Sequence, residues 1–316
     1  MDKKRNIIID TDTASDDAVA IIMALRDPSV NVLGITCVAG NLYVDQCVRN
    51  ALISIDYAGT YAPPVYRGME KPMIREKMVT AHATHGQDGL GDVGYPDPKG
   101  KPQPEHAVDA MARMVTEYEG DDLEIVTLGP LSNVAMAILK APEAFKKVKM
   151  ITMMGSAGLG PGNCTPVAEF NIWADAEAAQ IVMQSGVPFT VVGWDACLGK
   201  AILTVEEIDA LMADNPSELV KFCIECNRCL RNLNVKRFGS ALIDFADPVA
   251  MAVAIHPECV AKMIDAYCFT EYKSESTYGQ VVIDYNGVAG KPFNGRVCTE
   301  LDADEFKRYL YSLIKG

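Results

Sequence analysis

Residues 5–25 read RNIIIDTDTASDDAVAIIMAL. The run Ile7-Ile8-Ile9 has the length and β-branched character of a buried strand, and Ala18-Val19-Ile21-Ile22-Ala24-Leu25 has the spacing of a helix. Between them Asp10, Asp12, Asp16 and Asp17 fall within eight residues. Like charges repel, and burying each one costs roughly several kcal/mol. A strand running through such a turn into a helix is the opening unit of an alternating α/β chain. In open sheets of that kind, ligands bind beyond the carboxyl ends of the strands, which is where these aspartates fall.

The alternation continues outward from this stretch. Strands are expected at residues 7–10, 30–36, around 65, and at 123–128, 149–154 and 189–192. Helices are expected at 17–25, 44–57, 106–118, 132–139, 175–184, 205–212, 218–233 and 248–255. Extended segments around 264–272, 280–285 and 296–301 precede a last helix at 304–314. The polar, Pro/Gly-rich residues 80–104 read as a long loop, and loops of that length are usually functional or disordered. Short apolar strands alternating with helices predict an α/β fold. Its sheet is doubly wound, Rossmann-like and mostly parallel, flanked by helices, with extra helices near the site. No linker or repeat interrupts it, so one domain over residues 1–316 is expected.

Apolar residues at 49% and charged residues at 22% describe a globular chain. A net charge of −13 with no basic stretch argues against nucleic-acid binding. No apolar run reaches the length of a membrane span, and MDKKRNIIID carries no signal-like apolar segment. A cytoplasmic location is therefore expected, with the ten cysteines as reduced thiols. Cys223, Cys226 and Cys229 repeat every three residues but lack a fourth partner, and read as structural thiols on one helix face.

The aspartates have two readings. Ser15 or Asp16 could cap the helix, with acids in its first turn complementing the dipole. That accounts for one or two aspartates and leaves Asp10 and Asp12 unexplained. A hard divalent cation, which takes oxygen ligands, accounts for the whole set.

DTDTASDDAVA resembles the N-terminal signature of the nucleoside hydrolases, the inosine-uridine-preferring N-ribohydrolases. Five further stretches resemble that family in order: VAGN (38–41), HGQDGLG (85–91), LGPLSNVA (128–135), GNCTPVAEFNIWADAEAA (162–179) and DPVAMAVA (247–254). The resemblance implies hydrolysis of the N-glycosidic bond of a ribonucleoside to base and ribose. It implies Ca²⁺ held by Asp12, Asp17, Asp247 and the Leu128 carbonyl, with Asp10 in the same shell. Asp12 would be general base toward the cation-activated water. Asp16 and Asn41 would hold the ribose 2′-hydroxyl, Asn171 and Asp247 the 3′-hydroxyl, and Asn163 and Glu169 the 5′-hydroxyl. The loop that carries His85 would border the substrate. A homodimer or homotetramer is implied by analogy.

Each residue also has a plainer reading. Asp247-Pro248 is a common helix start with Asp as N-cap. Asn41 and Asn163 follow glycines and suit turns. Glu169 and Asn171 would share a face if their segment is extended. Trp173 reads as packing rather than as a base platform. His85 reads equally as solvated or functional. The position before Asp247, a histidine or tryptophan in many members of the family, is Ala246, which neither donates a proton nor stacks. His85, Asp88, Arg228, Arg231 and Arg237 are the candidates to assist the leaving base. Two alternatives stand beside the hydrolase: a non-catalytic nucleoside binder, and a haloacid-dehalogenase-like phosphatase, whose motif wants Thr or Val where Ala14 stands.

Overall fold

The computed structural model describes residues 4–315. The ends of the expected domain, residues 1–3 and 316, lie outside the described residues. Nine strands form one sheet: β1 (Arg5–Thr11), β2 (Val30–Cys37), β3 (Val65–Arg67), β4 (Leu123–Thr127), β5 (Met150–Met154), β6 (Phe189–Val192), β7 (Val260–Thr270), β8 (Val281–Asp284) and β9 (Gly295–Leu301). Their order is β3-β2-β1-β4-β5-β6-β9-β7-β8. Neighbours from β3 to β9 pair parallel, and β7 is antiparallel to both β9 and β8. The mostly parallel, doubly wound expectation holds, with an antiparallel margin.

The isoleucines of β1 show why the sheet is covered on both sides. Ile7 and Ile9 enter one core cluster, shared with helices Ser15–Arg26 and Ala246–Ile255, while Ile8 enters the other, shared with Ala107–Glu117 and Ser132–Lys140. All three are fully buried. Side chains alternate across a strand, so a continuous apolar run suits only a strand buried on both faces. Each such burial contributes about 1.5–3 kcal/mol as an upper estimate.

The chain builds outward from β1 to β3, then restarts at β4 on the other side of β1. That reversal opens a crevice at the carboxyl ends of β1 and β4. The turn after β1 carries the aspartates, and the Leu128 amide donates to the Asp10 carbonyl across the gap (2.8 Å). Helix Ala246–Ile255, buried along its whole length, packs against helix Ser15–Arg26, which is buried from Ser15 to Leu25. Asp16 and Asp17 lie in the first turn of one and Asp247 in the first turn of the other.

Four local expectations are corrected. The helix expected over 218–233 is two, Glu218–Glu225 and Arg228–Phe238. The Asn227 side chain donates to the Cys223 carbonyl (3.0 Å), displacing its own amide onto Ile224 (3.2 Å). That side-chain competition ends the first helix. Cys223 is therefore buried on the first helix, Cys226 is buried at its C-cap, and Cys229 sits on the next helix. Residues around Glu169 are not extended: helix Phe170–Ala174 starts there, with the Glu169 carboxylate accepting from the Asn171 and Ile172 amides. Asp247 is not an N-cap, since helix Ala246–Ile255 begins one residue earlier with Phe245 at the cap. Neither Ser15 nor Asp16 caps the first helix: Ala14 is at the cap, and its amide donates to Asp17 Oδ2 (2.9 Å). Among the described residues no helix is long and apolar enough to cross a membrane.

Candidate active site

Each carboxylate in the crevice is held by a different part of the fold. Asp10 Oδ1 accepts from Thr36 Oγ1 (2.6 Å) on the neighbouring strand and from Asn133 Nδ2 (2.8 Å). Asp17 accepts from Thr11 Oγ1 (2.5 Å) as well as from the Ala14 amide. Asp12 Oδ2 accepts from the Asn41 amide (2.5 Å). Backbone presses close on both sides of Asp12. A Cβ at Gly40 would lie 2.1 Å from its Oδ2, and one at Gly129 would lie 2.6 Å from its Oδ1. Only glycine permits that approach, which gives the glycines of VAGN and LGPLSNVA a physical role.

Burial raises every one of these acids. It pushes Asp10 up to about 7. Asp16 and Asp17 are pushed up to about 6, Asp16 chiefly by burial and Asp17 by burial and then the charge of Asp16. Asp12 rises well above the carboxylate range through burial and then the charge of Asp17. Asp247 does so through burial and the charges of Asp17, Asp16 and Asp12. Asp16, Asp17 and Asp247 each bring one oxygen within 4.8 Å of the others. Asp10 Oδ2, Asp12 Oδ1 and Asp16 Oδ1 are buried without a hydrogen-bond partner among the described residues. Among the described residues no lysine or arginine ion-pairs with any of the five. Bare, mutually repelling carboxylate oxygens with an all-oxygen donor set fit a hard divalent cation.

A cavity of about 290 Å³ opens beside these acids, lined by Asp16, Asn41, His85, Leu128 and Asp247 and also by Asn163, Glu169, Asn171 and Trp173. The short helix His82–His85, inside the expected loop, brings His85 to this wall. His85 is buried, not solvated. Its Nδ1 lies 2.8 Å from Ser15 Oγ and 3.8 Å from Asp16 Oδ1, and burial lowers it to about 4. Asn171 Nδ2 donates to the Leu128 carbonyl (2.7 Å), leaving that oxygen one lone pair for a ligand. Glu169 also accepts from the Ser156 amide (3.2 Å), and burial pushes it up to about 7. Asn163 is exposed, and its side-chain oxygen accepts from the Phe170 amide (3.0 Å). Trp173 lines the cavity while the Arg75 guanidinium stacks on its ring at 3.8 Å.

Three comparisons bear on this geometry. The sequence model of the inosine-uridine preferring nucleoside hydrolase family matches residues 7–308. The chain belongs to that family. This nucleoside hydrolase is 34% identical over 319 residues to the pyrimidine-specific ribonucleoside hydrolase RihB of Escherichia coli (strain K12), covering 99% of this chain and 98% of RihB. A solved purine-preferring ribonucleoside hydrolase from Gardnerella vaginalis superposes with a TM-score of 0.91 at 31% identity, over 99% of this chain and 98% of that one. A solved inosine-guanosine nucleoside hydrolase gives 0.90 at 30% identity, over 98% of both chains. The protein is a nucleoside N-ribohydrolase. That finding sets aside the phosphatase and the non-catalytic binder.

Sequence reasoning missed several parts of this hydrolase's site. Asn133 braces Asp10, while Trp194 and Asp244 line the cavity. Asn133 lay inside a quoted motif, and Asp244 stands three residues before Asp247. Trp194 gave no signal, because its place follows from the end of β6.

Proposed function

We propose that the protein releases ribose from ribonucleosides with Ca²⁺ held by Asp12, Asp17, Asp247 and the Leu128 carbonyl, Asp10 lying close by in the same shell. The observation that carries this reading is the set of bare buried carboxylate oxygens of Asp10, Asp12 and Asp16 beside and beneath the cavity, which no lysine or arginine among the described residues pairs with. A divalent ion bound there supplies positive charge that makes a nearby water more acidic. Asp12 is the general base. Its Oδ1 has no hydrogen-bond partner among the described residues, so once a cation holds the carboxylate deprotonated it can take the water proton as oxygen bonds to C1′. Asp16 and Asn41 hold the 2′-hydroxyl, Asn171 and Asp247 the 3′-hydroxyl, and Glu169 with Asn163 the 5′-hydroxyl. These contacts orient the sugar beneath a developing oxocarbenium ion, which the surrounding carboxylates stabilise.

We further propose that residues 1–316 act as one domain, assembling as a cytoplasmic homodimer or homotetramer; light scattering reads the mass. The enzymatic test is quantification of free ribose after incubation with a ribonucleoside panel. Ribose release with Ca²⁺ and none after chelation is expected; equal activity in chelator overturns the metal assignment.

Calcium should also act on stability with a defined sign. The folded acids hold protons that the unfolded chain releases above about pH 4, so without the ion their contribution to stability falls as pH rises through about 6–7. A bound cation requires the deprotonated forms, so its stabilisation grows over the same window. At about 100-fold excess over Kd the gain is about 2.7 kcal/mol. The thermal midpoint shift produced by Ca²⁺ should therefore be larger at pH 8 than at pH 5, and absent in Asp17→Ala. A shift that persists in Asp17→Ala would place the ion elsewhere.

A further inference from the structure

The cavity is chemically one-sided. Its floor is acidic, and Arg237 is the one lysine or arginine among its described lining residues. Neighbouring arginines are engaged elsewhere. Arg228 donates to the Gly91 and Asp92 carbonyls. Arg231 donates to the Ala241 carbonyl and pairs with Glu225 (3.7 Å), and Arg75 donates to the Trp173 carbonyl (2.7 Å). Arg237, in the last turn of helix Arg228–Phe238, makes no hydrogen bond or ion pair within the described residues. Asp244, on the same wall, is held by Asn234 Nδ2 (2.8 Å) and feels the positive charge of Arg237. Ala246, Leu230 and Trp194 share that wall, and none carries a charge. His85 faces Ser15 and Asp16 through Nδ1, on the acidic side.

A nucleoside whose ribose is held by the acidic floor directs its base toward the remaining lining. Arg237 is exposed at the cavity wall, and a guanidinium there without a hydrogen-bond partner among the described residues offers fixed positive charge to negative charge that develops during bond breaking. It stays charged at neutral pH, so it cannot hand over a proton.

We propose that Arg237 is the leaving-group residue of this enzyme, stabilising the base as it departs as an anion. The inference rests on the hydrolase reading above. The C1′–N bond breaks with its electron pair remaining on the base nitrogen, against the Arg237 guanidinium. A water oxygen bonds to C1′, and the proton it loses goes to Asp12. The released base takes a proton from solvent, and Asp12 returns its own to solvent.

The test compares wild type, Arg237→Ala and Arg237→Lys on inosine, uridine and 4-nitrophenyl β-D-ribofuranoside, measuring kcat by ribose release. The nitrophenolate departs without assistance, so wild type should cleave it faster than either nucleoside. Arg237→Ala should lower kcat on the nucleosides by about 10–10²-fold, at or below the scale of losing one oxyanion donor. On the nitrophenyl riboside it should lower kcat less than about 3-fold on the same footing. Arg237→Lys, which keeps the charge, should recover part of the nucleoside rate. Arg237 is exposed, so its removal leaves the core intact, and thermal melting checks this. Equal losses on all three substrates, or no loss on the nucleosides, overturn the role of Arg237 while leaving the hydrolase reading standing. No ribose from any substrate with wild type overturns both.

Discussion

2′-Deoxyinosine is expected to be cleaved with a kcat/KM about 10⁴-fold or more below that of inosine, a difference of about 5.5 kcal/mol in transition-state stabilisation. Asp16 Oδ1 is buried with no hydrogen-bond partner among the described residues, at the wall of the cavity that also carries Asn41. A sugar without its 2′-hydroxyl leaves that oxygen bare after water is excluded, and an unpaired buried acceptor is costly. The loss should fall on kcat as well as KM, because the contact also fixes the carbon that becomes cationic. Ribonucleosides that differ only in base should vary less. Asp16→Ala should bring the two sugars to within about 10-fold, since the group that penalises the deoxy substrate is gone. Calcium binding by that variant, read from its melting shift, separates lost sugar recognition from a lost ion. Comparable kcat/KM for inosine and 2′-deoxyinosine in the unmodified enzyme would remove both the residue assignment and the ribose specificity.

Asp12→Asn is the second large effect. An amide is nearly isosteric with the carboxylate and can still accept the Asn41 amide, so the close approach of Gly40 and Gly129 survives. What it cannot do is take a proton. kcat should fall by about 10²–10⁴, the usual range for a general base, or about 3–5 kcal/mol. Soluble, cooperatively melting protein with that deficit is the expected result. A variant with near-normal kcat would show that another group receives the proton.

The opening stretch made much of this legible. The β-branched run and the helical spacing after it are local signals, and both elements formed, extended at their ends to Arg5–Thr11 and Ser15–Arg26. The family motifs named the acids and the sugar-side residues because each motif is a short segment whose chemistry is written in adjacent positions. Where local reasoning failed, a side chain competed with the backbone. Asn227 ended a helix that the apolar period continued through, and Glu169 used its carboxylate to start one in a segment to which no element had been assigned.

The sequence by itself determined that a strand, an acidic turn and a helix follow one another, because a few bonds of chain enforce that adjacency. It also determined that carboxylates are crowded there, and hence that something cationic must answer them. Only the tertiary structure decided which distant groups answer. The reversal of strand order at β1 and β4 opened the crevice, and the packing of two largely buried helices brought Asp247 against Asp16 and Asp17. The same packing occupied Arg228 and Arg231 with carbonyls and left Arg237 at the cavity without a hydrogen bond among the described residues. Adjacency along the chain is fixed by covalent bonds, whereas adjacency across it is fixed by which apolar faces must be buried together. No single stretch of sequence holds that second kind of information.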